Sequence, residues 1–172
     1  NKRWKLGTDI CPICHCEVED WYHVLDCQSD DLTRVREEFI KKFRELLKKH
    51  NTYPPLREFF IDCCRYPDFT APNDLLVVNP HYALLTDIAY KNQTLLGWQN
   101  FYRGFITIHW KKIQYKYLLE LCHGDIHAVD KWSRMLVQNI LKFSCLMWNE
   151  RCTIVAAEKE VTYEGHTRQK LW

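Results

Sequence analysis

Apolar residues recur at helical spacing through most of this chain. Leu32, Val35, Phe39, Phe43, Leu46 and Leu47 follow one another at steps of three and four, with charges between them. That pattern predicts an amphipathic helix from Ser29 or Asp30 to about Lys49, with Asp30 and Asp31 favouring its N-terminus. Its polar face carries Arg34, Arg36, Lys41, Lys42, Arg44, Lys48 and Lys49, diluted by Glu37, Glu38 and Glu45. Pro54 and Pro55 stop this element and start a shorter helix, Leu56 to Tyr66. Residues 67–80 hold three prolines and two asparagines and read as the main loop, with Leu75–Val78 as a short extended piece. A helix from Pro80 to about Tyr90 follows, with Leu84, Leu85 and Ile88 as its buried side.

Lys91–Leu96 breaks that pattern. From Gly97 the steps Trp98, Phe101, Phe105, Ile108 or His109, and Lys112, then Tyr117 and Leu121, predict one long helix. Gly104 lies inside it, at a cost of up to about 1 kcal/mol relative to Ala, which points to close approach of another helix. His123-Gly124-Asp125 closes the element. A last helix, capped by Asp130, runs past Arg151 on Leu136, Val137, Ile140, Leu141, Phe143 or Ser144, and Met147 or Trp148, and frays beyond Val155. The fold class is therefore mainly α, with about five helices in a bundle and no internal repeat.

One stretch does not follow this periodicity. Residues 11–27 read Cys-Pro-Ile-Cys-His-Cys-Glu-Val-Glu-Asp-Trp-Tyr-His-Val-Leu-Asp-Cys. Cys11 and Cys14, two residues apart, form a turn whose sulfurs converge. His23 and Cys27, four positions apart, share one face of a helical turn. The four complete a Cys3His set, the donor chemistry that Zn2+ prefers, with no obvious open position, so the metal reads as structural. His15 and Cys16 are spare donors that could replace a neighbour in the shell; His15 fits better as an exposed turn residue. The chain divides into a zinc knuckle at 1–28, packed on a helical domain at 29–172.

Composition narrows the function. The chain has 172 residues, 47% hydrophobic and 14% aromatic, with seven Trp, ample for a packed core. Net charge is only +2, so any nucleic-acid surface must come from local clusters. Candidates are Lys2, Arg3 and Lys5 before the knuckle, Lys41, Lys42 and Lys48 on the first long helix, and Lys111, Lys112 and Lys116. The last three interleave with Trp110, Tyr115 and Tyr117, a mixture that single-stranded nucleic acid exploits, although aromatics at helical spacing fit core packing better. The sequence starts at Asn1 without a Met and reads as a fragment or processed product. No apolar run reaches 18 residues, so no membrane span is expected. Cys16, Cys63, Cys64, Cys122, Cys145 and Cys152 read as free thiols of an intracellular, reducing compartment, nucleus, cytoplasm or organelle. Catalysis is not expected. Cys122 and His123 are adjacent and point apart on a helix, Asp125 and His127 form a solvated loop pair, and no phosphate loop or nucleophile elbow is present.

Three motifs taken in order carry a resemblance: the run ending His23-Val24-Leu25-Asp26-Cys27, then Gly97-Trp98 with Gly104 and Trp110, then Trp148 with Arg151. Together they resemble the segment that follows the polymerase domain in reverse-transcriptase-like proteins of non-LTR retrotransposon type. There a Cys-Pro-x-Cys knuckle precedes helices carrying Gly-Trp-x5-Gly-x5-Trp and Trp-x2-Arg. The resemblance implies that Cys11, Cys14, His23 and Cys27 bind zinc. It also implies that the module helps hold template RNA or target DNA, or joins a larger protein or ribonucleoprotein assembly as a structural subunit. The polymerase aspartates are not in this chain, so the resemblance implies no catalysis here.

Overall fold

A computed structural model describes residues 10–67, 79–122 and 126–169, with Cys122 and residues 158–169 described as backbone only. It is helical, as the periodicity predicts, and carries seven helices among these residues: α1 Trp21–Asp26, α2 Asp30–Lys49, α3 Pro54–Arg65, α4 Pro80–Leu96, α5 Trp98–Phe101, α6 Ile108–Cys122 and α7 Ile126–Gln169. The expected extended piece at Leu75–Val78 and the closing turn at His123–Asp125 lie outside the described residues.

Helix α2 forms where its apolar stripe demands. Leu32, Phe39, Ile40, Phe43 and Leu47 are buried. It ends by a left-handed turn: Asn51 has φ 47°, its N–H bonds Lys48 O at 2.9 Å, and Thr52 N–H bonds Leu47 O at 3.0 Å. That pair of bonds satisfies the last carbonyls and turns the chain into α3. Helices α2 and α3 pack on each other, α7 crosses α2, α1 and α6, and α6 lies against α4.

Where they meet, rings fill the space. Phe60 contacts Phe101, Trp110 and Trp132, while Phe59 contacts Trp98 and Trp110. Most polar groups buried among them are satisfied, the indole N–H of Trp110 being an exception. Gln114 accepts from Tyr53 N–H and donates to Asn51 O. Gln93 clamps the 105–107 loop through Phe105 O and Thr107 N. Trp132 Nε1–H donates to Thr52 at 2.9 Å.

Three expectations need correction. Helix α4 does not stop near Tyr90 but continues to Leu96. Its buried side is Tyr82, Thr86, Ala89 and Gln93, while Leu84 is 72% exposed. Two of its polar residues are paired, Tyr82 with Glu120 and Gln93 with the 105–107 loop, so that face is not set by apolarity alone. The long helix from Gly97 is in fact two. Gly97 and Gly104 have φ 86° and 84°, which no helix accommodates, so α5 is one turn long and α6 starts after Thr107. Close approach at Gly104 is as expected: a Cβ there would sit 3.1 Å from Leu141 of α7. Helix α7 starts at Ile126, so Asp130 lies inside it as the ion-pair partner of Lys111 rather than as a cap.

Candidate metal centre

The knuckle is built from short-range constraints. Cys11 N–H bonds Glu17 O at 2.7 Å and His15 N–H bonds Cys11 O at 3.0 Å, which folds residues 11–17 into a tight loop. An isolated antiparallel bridge between Ile10 and Val18 closes its base. The loop turns at His15, whose φ is 56°. Asp20 then caps α1, its carboxylate accepting from His23 N–H at 2.7 Å. One turn later Cys27 N–H bonds His23 O at 2.6 Å. The cap and this turn bring His23 and Cys27 to the same side as the loop cysteines.

The ligand atoms of Cys11, Cys14, His23 and Cys27 all lie within 4.8 Å of one another, so the cluster could hold a metal ion. Cys14 Sγ is 3.3 Å from His23 Nε2. Four donors bound tetrahedrally at zinc's bond lengths sit about 3.5–3.8 Å apart, a spacing that the 4.8 Å limit admits. The other face of the imidazole is fixed as well. Nδ1 of His23 is 3.0 Å from Glu17 Oε2, which leaves Nε2 as the metal-facing atom. The spare donors stay out. His15 and Cys16 are exposed, and Cys16 donates to Cys14 O instead.

The thiols are tuned in opposite directions. Burial pushes Cys11 up to about 11, against backbone N–H bonds from Cys14 and Ile13. At Cys14 burial also pushes upward, but N–H groups of Cys16 and Glu17, with Cys11 and His23, hold it down at about 6. Cys11 and Cys27 are fully buried, whereas Cys14 and His23 border an open depression of about 530 Å3 shared with Cys16, Asp26 and Gln28.

Two long-range contacts grip the knuckle, and the sequence reading missed both. Arg36, expected on the solvated face of α2, is 2% exposed. Its Nη2 donates to Leu25 O at 2.8 Å and Cys27 O at 2.9 Å, the carbonyls left over where α1 ends. Burial lowers its pKa, opposed by the nearby charges of Asp26 and Cys27. Arg151 of α7 reaches Glu19 through two bonds of 2.6 Å, and Trp148 meets Trp21 at 5.7 Å between rings. The Trp-x2-Arg motif therefore fastens the knuckle to α7. Trp98, Gly104 and Trp110 serve the bundle core.

The proposed phosphate contacts are scattered. Lys2, Arg3 and Lys5 lie outside the described residues. Lys41 and Lys42 are exposed on α2, and Lys112 is exposed on α6. Lys48 pairs with Glu45 at 2.8 Å, and Lys111 pairs with Asp130. Lys116 donates to His81 O at 2.9 Å and sits over the Tyr82 ring. Much of the α2 polar face is also spoken for, since Glu37 binds Arg65 and Arg44 faces Glu58 across α3. Among the described residues, no helix is long and apolar enough to cross a membrane. In comparisons with known proteins, no family model matches the chain, and no curated protein or solved structure matches it with significance.

Proposed function

We propose that the chain is a non-catalytic, zinc-stabilised module that binds nucleic acid, template RNA or target DNA, as part of a reverse-transcriptase-related protein. The observation that carries it is the convergence of Cys11, Cys14, His23 and Cys27 within 4.8 Å. Three thiols and one imidazole favour zinc over harder cations, and four protein donors saturate its tetrahedron, the arrangement of structural rather than catalytic sites. The family reading draws support from how its motifs are used. Trp148 and Arg151 contact the knuckle residues Trp21 and Glu19, 127 and 132 positions away, so widely spaced motifs act as one unit.

Nucleic-acid contact falls to Lys41, Lys42 and Lys112, which make no ion pair among the described residues. Zinc content and nucleic-acid affinity test the proposal together, on the wild type and on Cys14→Ala with His23→Ala, across a salt series. The reading expects one zinc per chain and a log–log salt slope of about −2 to −3, since each neutralised phosphate adds roughly 0.7–0.9. Lys41→Ala with Lys42→Ala should flatten that slope. One zinc with no binding at low salt would contradict the nucleic-acid half alone. A second reading, a protein-interaction module, is favoured by the apolar seam between α6 and α7.

A further inference from the structure

Two depressions lie along that seam, of about 370 and 220 Å3. The larger is lined from α6 by Ile108 and Lys111 and from α7 by residues between Trp132 and Gln138. The smaller lies between Tyr115 of α6 and Ile126 and Val129 of α7. Both are bordered by Ile108 and Lys111, so they adjoin along the seam and are taken together as one groove. From Ile126 to Gln138 an α-helix rises about 18 Å, three turns or more.

The groove is too apolar to be ordinary surface. Ile108 is 62% exposed and Ile126 is 59% exposed, with Tyr115 beside them at 37%. Clustered exposed apolar side chains mark interaction sites rather than chance. Neither the metal cluster nor its grip by Arg36 and Arg151 makes any use of these residues.

Its chemistry selects the occupant. The walls are mainly aliphatic: Ile106, Ile108, Ile126, Val129 and Val137. Bases need open aromatic planes to stack on. The two indoles at the groove, Trp110 and Trp132, are 0% and 1% exposed and present none, which leaves Tyr115 of the smaller depression as the one ring a base could reach. Aliphatic walls instead receive apolar side chains. Every charged side chain lining the two depressions is a cation: Lys111, Lys112 and Arg134. Lys111 is neutralised by Asp130, and Lys112 and Arg134 make no ion pair among the described residues. The rim therefore favours carboxylates on the partner. Val129 and Leu136, one beside each depression, are seven residues apart on α7, about 10 Å. Side chains at i and i+7 of an incoming helix have that same separation.

We propose that the α6–α7 groove docks an amphipathic helix of a protein partner, anchored by two apolar side chains seven residues apart and flanked by Asp or Glu. This goes beyond the nucleic-acid reading and does not depend on it. The test is selection of helical peptides with randomised surfaces against the zinc-loaded full chain. Enriched peptides are expected to carry the apolar i, i+7 pair with acidic flanks. Ile108→Glu and Arg134→Glu should each weaken the labelled consensus peptide by about tenfold or more, as central and rim contacts do. Leu84→Glu on α4, also exposed but lining neither depression, should leave affinity unchanged, and all three variants should keep their zinc and their melting temperature. The proposal is overturned by a lack of enrichment, by basic consensus flanks, by binding that survives Ile108→Glu, or by displacement of the peptide with oligothymidylate that persists in Lys112→Ala, since Lys112 is shared with the nucleic-acid reading.

Discussion

Between Ile10 and Cys27 the chain fully buries only Cys11, Val24, Leu25 and Cys27, whereas α2, α3, α6 and α7 bury an unbroken set of rings from Phe39 to Trp132. The two regions differ in what enforces their structure. The bundle gains from area: each buried ring removes enough apolar surface from water to contribute about 2–3 kcal/mol. The knuckle has no such reserve. It is specified by capping bonds, one buried guanidinium, one bidentate ion pair and four donors, three of which repel one another as thiolates unless a cation sits between them. On the proposed zinc reading, metal binding would supply its folding free energy, on the order of 10 kcal/mol in isolated zinc modules.

That contrast can be broken at several points, and the largest effect should come from the metal. Cys27→Ser, or a strong chelator, should release the knuckle and separate Trp21 from Trp148, while most helical circular dichroism persists. A collapse of the whole helical signal would mean that the bundle depends on the metal as well. The converse substitution is Trp110→Ala, which empties the centre of the ring cluster. It should cost about 3–5 kcal/mol in denaturant melts, with metal stoichiometry unchanged in the protein that remains folded. Arg36→Met keeps the bulk but strands the carbonyls of Leu25 and Cys27. A loss of about 2–3 kcal/mol is expected, with metal released at lower chelator concentration than from wild type. If only global stability falls and chelator resistance is unchanged, Arg36 serves the bundle and not the knuckle. Arg151→Lys gives up the two-pronged contact with Glu19 and should cost about 1 kcal/mol, read most sensitively from Trp148 and Trp21 fluorescence. The smallest effect should be a gain. His15 holds a left-handed backbone, so His15→Gly should stabilise the metal-bound form by up to about 1 kcal/mol.

The same contrast explains what could be read from the sequence. The helices announce themselves because burial imposes a period, and α2 and α3 follow theirs closely. The metal donors are legible because their constraints are local: two residues between Cys11 and Cys14, three between His23 and Cys27. What stayed hidden is what distance and polarity conceal. Arg36 sits among six other basic residues of its helix, and its one signal, steps of four from Leu32 and to Ile40 along the buried stripe, is masked by its charge. Its role depends on where α1 ends. Glu19 and Arg151 are 132 residues apart and meet only because α7 passes the knuckle. The break between α5 and α6 did leave a signal. Gly97 and Gly104 frame it, and Thr107, whose Oγ1 accepts from His109 N–H at 3.4 Å, is a residue type suited to start a helix. The strong apolar steps from Trp98 to Leu121 masked that punctuation.

Cobalt substitution tests the central claim most directly. If Cys11, Cys14, His23 and Cys27 form one tetrahedral structural site, the apo chain takes up one Co2+ with intense visible ligand-field bands and a thiolate charge-transfer band. One equivalent of Zn2+ should abolish both, and His23→Ala should shift or weaken the visible bands. A faint six-coordinate spectrum, a stoichiometry other than one, or a spectrum indifferent to His23→Ala would contradict the account.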